Sequence, residues 1–147
     1  MATDNELSAQ IARLKQAMQA KVQQAQSAEE KFVITACAKV EATAKQIMRD
    51  SPTDASISYG KHGHHPSIEG NPPAPDTGML MKSVTHSVNK HGDEIEGYVG
   101  SILEGYPKYL EYGTSTIRPR PWLIASIIKC QSFIDSLWQR VKRGDLK

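Results

Sequence analysis

From Leu7 onward the apolar residues fall at Leu7, Ile11, Leu14, Met18 and Val22, in steps of three and four on a background of Ala, Gln and Lys. That spacing predicts an amphipathic helix, with Asp4 or Asn5 placed to cap it by accepting a free backbone N–H of the first turn. The stripe fades over Gln23 to Lys31 and resumes through Phe32, Val33, Ala36, Val40, Ala44 and Ile47. Ser27 followed by Glu30 fits a capping box, so two arrangements stay open. One is a single helix of about 45 residues, near 65–70 Å at about 1.5 Å per residue; the other is two helices in succession. A helix of that length exceeds what the rest of the chain can cover. Leu7, Ile11, Leu14, Met18 and Val22 are therefore expected to lie against another subunit.

Ser51-Pro52 ends the helical pattern, because proline disfavours helical geometry in the residue before it and lacks an N–H. A loop follows as far as Asp76, carrying Pro52, Pro66, Pro72, Pro73 and Pro75 with Gly60, Gly63 and Gly70 and no sustained apolar period. Its length leads us to expect a segment that is mobile alone and ordered by a partner. After Gly78 the period becomes two. Val84, His86 and Val88 face one way, as do Ile95, Gly97 and Val99 beyond the His91-Gly92-Asp93 turn. This predicts an antiparallel hairpin over 79–101, with Thr85, Ser87, Glu94, Glu96 and Tyr98 on its other face. Glu104 to Tyr112 reads as a short helix closed by Gly113, and Thr114 to Arg120 as an extended segment that can add an edge strand. Pro121 suits the first turn of a last helix. Leu123, Ile127, Cys130, Ile134, Leu137, Trp138 and Val141 form its apolar face, Lys142 and Arg143 complement its dipole, and Gly144 stops it.

These elements describe one α+β domain over 1–147: a helical arm (1–50), a Pro/Gly/His loop (51–75), a hairpin with a short helix (76–120) and a C-terminal helix (121–143) packed on a small antiparallel sheet. The 147 residues suffice for one core. With 39% hydrophobic but only 6% aromatic residues, part of the apolar surface is expected to be buried against neighbours. A net charge of +2 is too mild for a nucleic-acid footprint. Cys37 and Cys130 each sit in a helical apolar pattern and read as reduced packing residues. The acidic start, with no apolar run after it, leads us to expect no secretory signal and folding in the cytosol. No apolar run approaches the length of a membrane span.

Candidate chemistry is sparse. His62, His64 and His65, with Glu69, Asp76 and His86 in reach, can be drawn as the metal site of a hydrolase, although a Gly/Pro loop does not supply the rigid spacing that fixes ligand geometry. Arg118, Arg120, Arg140, Lys142 and Arg143 would serve a small DNA-binding module. No serine has a nucleophile-elbow context, neither cysteine is electropositive, and no glycine pattern cradles phosphate; the expectation is a non-enzyme without a cofactor. Asp76-Thr77-Gly78 has a structural account, with Asp76 or Thr77 capping the next turn. Glu111 precedes Arg118 and Arg120 closely enough for a turn to join them in a carboxylate–guanidinium lock. Tyr109 and Trp122 are expected in the core, and Tyr106 and Tyr112 at an interface.

Three segments in order carry a resemblance. They are Pro75, Asp76, Thr77, Gly78, Leu80 and Ser83; then Tyr106, Tyr109, Glu111, Tyr112, Gly113 and Thr114; then Arg120, Pro121, Trp122 and Leu123. Together they resemble the tail-completion, or tail-component, proteins of the neck of long-tailed bacteriophages, over about half of the chain. Met79 and Met81 stand where that family usually has basic residues, and Trp122 where it usually has Phe. The resemblance implies a structural virion protein that joins head to tail. It would form a homo-oligomeric ring of six subunits between the tail terminator and the head connector, with passing contact to DNA in the channel. Such a protein is assembled in the bacterial host cytoplasm and located in the virion neck, with no membrane contact.

Overall fold

The computed structural model describes residues 3–146; Met1, Ala2 and Lys147, which the one-domain division of 1–147 includes, lie outside them. The elements in chain order are α1 (Asp4–Arg49), α2 (Met79–Ser83), β1 (Val84–His91), β2 (Glu94–Ser101), α3 (Tyr106–Tyr112) and α4 (Leu123–Arg143). The class is α+β, as the residue patterns predict.

The first helix is single and unbroken. Its 46 residues extend about 69 Å at about 1.5 Å per residue, and Ser27 and Glu30 lie inside it without interrupting it. No glycine or proline occurs between Asp4 and Arg49, so nothing in the backbone favours a break. The cap is Thr3 rather than Asp4 or Asn5. Its hydroxyl accepts the Glu6 N–H at 3.3 Å, and the Glu6 carboxylate accepts the Thr3 N–H at 2.9 Å, a reciprocal capping box that satisfies two donors at once.

The hairpin is antiparallel, with Val84 opposite Ser101, Val88 opposite Gly97 and His91 opposite Glu94. It begins at Val84, not at 79, because Gly78 (φ +75°) starts the single helical turn α2. Two residues close it, and Gly92 takes the first central position with φ +62°, the conformation that matches the twist of the strands. The expected face, with His86, Val88, Gly97 and Val99, turns toward α1. Gly97 lets the helix approach: a Cβ there would stand 2.7 Å from Val33 Cγ1 and closer still to Cys37 Sγ. Gln26 Nε2 donates to Asp93 Oδ1 at 2.8 Å, so the hairpin turn is pinned to α1 about halfway along it.

The last helix runs antiparallel to α1. Phe32 meets Trp138 with ring centroids 5.1 Å apart, and Cys130 Sγ lies 3.2 Å from Thr43 Oγ1. It therefore packs chiefly along α1, on the side away from the hairpin, rather than on the sheet. Gly144 stops it in the left-handed conformation. Ala44, Met48, Leu80, Val84, Leu110 and Trp122 form the core.

One further expectation needs correction. Thr114 to Arg120 adds no strand: the Thr114 hydroxyl accepts the N–H groups of Thr116 and Ile117, at 3.2 and 3.0 Å, and folds the segment into a turn. The Pro/Gly/His loop makes its own backbone bonds. Asp54 N–H donates to the Pro66 carbonyl at 2.8 Å, and Tyr59 and His64 exchange bonds of 2.8 and 2.9 Å, so it folds back on itself within the chain.

Candidate functional site

The three segments that the sequence singles out converge beneath the N-terminus of α4. Leu80, Leu110 and Trp122, one from each, are buried in the same cluster. Glu111 is the junction. The residue is only 7% exposed, and its Oε2 accepts the N–H groups of Trp122 and Leu123 at 2.8 and 2.9 Å while Oε1 accepts that of Ile124 at 2.9 Å. These are the donors that a helix leaves unpaired at its start, and a carboxylate there also meets the positive end of the helix dipole. The lock expected of Glu111 is thus real in its effect but differs in its partners. Arg118 instead pairs with Glu69 at 3.2 Å, and Arg120 donates from Nη2 to the Ser67 carbonyl at 3.3 Å. Neither guanidinium comes within ion-pair distance of Glu111, and Arg120 is held partly buried with its Nε unpaired.

Each remaining motif residue has a structural task. Arg120 N–H donates to the Leu110 carbonyl at 2.7 Å, and the Trp122 indole N–H donates to the Pro107 carbonyl at 3.2 Å. Pro121 fixes the approach to the helix. Gly113 has φ +75°, and a Cβ would meet the Ile117 carbonyl oxygen at 2.8 Å and Pro119 Cδ at 2.9 Å; glycine is required there on both counts. Thr77 Oγ1 accepts the Met79 N–H at 3.4 Å, while Asp76 is exposed and does not cap. Pro75, Asp76, Thr77, Gly78 and Tyr106 instead line a cavity of about 500 Å³, floored by Met48 and Leu80.

The tyrosines depart from expectation. Trp122 is buried, but Tyr109 is 50% exposed and stands with Tyr106 and Tyr112 on the outer side of α3. Pro107, Leu110 and Glu111 occupy the inner side, and residues three apart on a helix share a face, so the aromatic row points outward beside the cavity.

The histidines do not assemble. His64 Nδ1 stands 3.8 Å from Asp76 Oδ1, His65 Nδ1 contacts the Ile57 carbonyl at 2.7 Å, and His86 Nδ1 contacts Glu41 Oε2 at 2.5 Å. Among the described residues no three His, Cys, Asp or Glu side chains are grouped as a metal would require. Glu41 also accepts from Lys45. Those two hydrogen bonds, from Lys45 first and His86 second, hold its carboxyl below the usual carboxylate range. Both cysteines are free and buried, as expected, and burial pushes the Cys37 thiol up.

The largest uncovered feature is the first half of α1. Every residue from Asp4 to Ala25 is exposed, and Gln26 is the first that the rest of the chain partly covers. Leu7, Ile11, Leu14, Met18 and Val22 are 47–62% exposed on this arm, whose residues before Lys21 reach about 26 Å beyond the groove at the end of α4. Among the described residues no helix is long and apolar enough to cross a membrane. No protein-family model, curated protein or solved structure matches the chain.

Proposed function

We propose that the chain is a structural component of a bacteriophage neck. In this reading it forms a homo-oligomeric ring of six subunits that completes the tail and joins it to the head connector through the tail terminator. The observation that carries the reading is the bare arm. An apolar stripe of five residues on a helix with no intrachain cover is a surface made for other chains, and an aromatic row on α3 adds a second such surface. The resemblance of the three segments to neck proteins adds the identity of those chains. Their convergence on the capped end of α4 supports a role for them in holding the fold. The protein would act in the virion neck after assembly in the bacterial cytoplasm.

The test is the mass of the purified protein by light scattering, alone and after mixing with the tail tube and its terminator. A closed ring, or a smaller species recruited into a ring by the tail, is the expected result. A species whose mass is the same with and without tail proteins, and which never forms a ring, overturns the reading.

A further inference from the structure

The stripe on the arm has a specific order. Asp4, Leu7, Ile11, Leu14, Met18 and Lys21 follow one another in alternating steps of three and four, the seam of a short coiled coil with one charge at each end. All six are exposed. Two copies laid parallel and in register would oppose Asp4 with Asp4 and Lys21 with Lys21. Laid antiparallel, they oppose Asp4 of each copy with Lys21 of the other, Leu7 with Met18 and Ile11 with Leu14. Every apolar layer is filled, and both ends close with opposite charges.

The folded body accepts the same arrangement independently. The seam leads into Ala25 and Ala28, which line a groove of about 650 Å³ at the end of α4. That helix already lies antiparallel on α1 and stops there, at Gly144. In the antiparallel pairing Thr3 of the second copy comes opposite Val22, so the incoming helix starts beside the groove that Lys21 and Ala25 share with Gly144 and Leu146 and prolongs the line of α4 along α1. The charges agree. The last turn of α4 carries Arg140, Lys142 and Arg143, against Asp145 and the groove's Glu29, while the arriving first turn carries Asp4 and Glu6. The negative end of one helix dipole also meets the positive end of the next.

We infer that the free protein is a two-fold pair of chains joined by antiparallel arms in this register. The pairing stands without the neck reading, and it adds a regulatory consequence to it. An isologous contact is closed and covers Leu7, Ile11, Leu14 and Met18 of both copies, so the seam is sheltered until assembly exchanges its twin for a neighbouring subunit.

The full-length chain tests this through two single-cysteine substitutions, Ile11→Cys and Leu14→Cys, mixed and oxidised under mild conditions. The native thiols are buried. The expected product is the 11-to-14 disulfide between copies, several-fold in excess over 11-to-11 and 14-to-14, identified by peptide mass. Light scattering of the unsubstituted chain should give twice the 16.2 kDa of one chain. Lys21→Asp should weaken the pair about tenfold, and adding Asp4→Lys in the same chain should restore it. Circular dichroism confirms that each variant remains helical. Predominant 11-to-11 linkage, a monomer at every concentration, or failure of the double charge swap to restore pairing overturns the proposal.

Discussion

Replacing Glu111 tests whether the fold is held by a carboxylate that caps α4. In Glu111→Gln the shape is kept and the charge lost. The amide oxygen can take the two bonds now made by Oε2, but the amide nitrogen then faces the Ile124 N–H, donor against donor. A hydrogen bond to a charged group contributes about 1.5–3 kcal/mol, and an unsatisfied buried donor costs about 1–3 kcal/mol. The lost charge at the helix end adds about 0.3–1 kcal/mol. Because the remaining bonds readjust, the net expectation for Gln is about 2–3 kcal/mol. Glu111→Ala orphans all three N–H groups and empties the space beneath Trp122; partial hydration of that space limits the loss to about 3–4 kcal/mol. For a chain of this length each kcal/mol lowers the melting temperature by about 2–4 °C, so calorimetry should show falls of about 4–12 °C and 6–16 °C. Arg118→Ala, which touches only the exposed Glu69 pair, should cost less than about 0.5 kcal/mol. The capping argument is refuted if Glu111→Gln melts within about 1 °C of the parent, or if Arg118→Ala costs as much as Glu111→Ala.

Gly97→Ala should destabilise by about 1–3 kcal/mol in urea unfolding, since the added methyl overpacks the contact with Val33 and Cys37; an unchanged midpoint would mean that the hairpin does not rest on α1. Glu41 makes the stability pH-dependent. Its carboxyl is held below its ordinary range when folded, so its contribution is present above the ordinary carboxylate pKa and is lost as pH falls through the lowered folded value. The acid limb of a stability–pH profile should therefore flatten in Glu41→Gln, and equal limbs would count against the Lys45 and His86 bonds. Leu14→Ser, on the bare arm at 62% exposed, should leave the unfolding free energy of the dissociated chain within about 0.5 kcal/mol of the parent. A larger loss would show that the arm folds back onto the body.

The elements were legible where one period dominates: the helical stripes of α1 and α4, the alternation in the hairpin, and Gly92, Gly113 and Gly144 as punctuation. The site was legible in its residues and misread in its bonds. The sequence pairs Glu111 with arginines because charge pairing is visible in a sequence, whereas three backbone N–H groups at the start of a helix become visible only once the chain is folded. The size of Tyr109 predicts a core position, yet the short α3 has one buried face, and Leu110 with Glu111 occupies it. The capping box of Thr3 and Glu6 and the apparent one of Ser27 and Glu30 are the same pattern. Only the first stands at a helix end; the second lies where Ala28 begins the packing on α4, and tertiary contact keeps the helix whole. Gly97 shows the converse, since a missing side chain on an apolar face marks close approach, but the sequence does not say of what.

The two halves of α1 divide the work of the molecule without dividing the helix. Residues 26–49 take the hairpin on one side and α4 on the other, through His86 to Glu41, Gly97 to Cys37 and Phe32 to Trp138, and so are fixed by the stability of the whole domain. Of residues 4–25 only Lys21, Gln24 and Ala25 adjoin the end of α4, and an isolated helix of such length is marginal in water; the arm persists because the docked half has already met the cost of nucleation. With no glycine or proline between them, a load or a partner taken up at Leu7 to Val22 is carried into the core by a continuous hydrogen-bonded rod. It follows that a glycine pair placed at Gln23 and Gln24, beyond the seam and short of the Gln26 contact with the hairpin turn, should leave the body folded and the seam intact while uncoupling the arm's direction from it. Coiled-coil pairing would survive such a change, but any larger assembly that depends on the angle at which the arm leaves the domain would not.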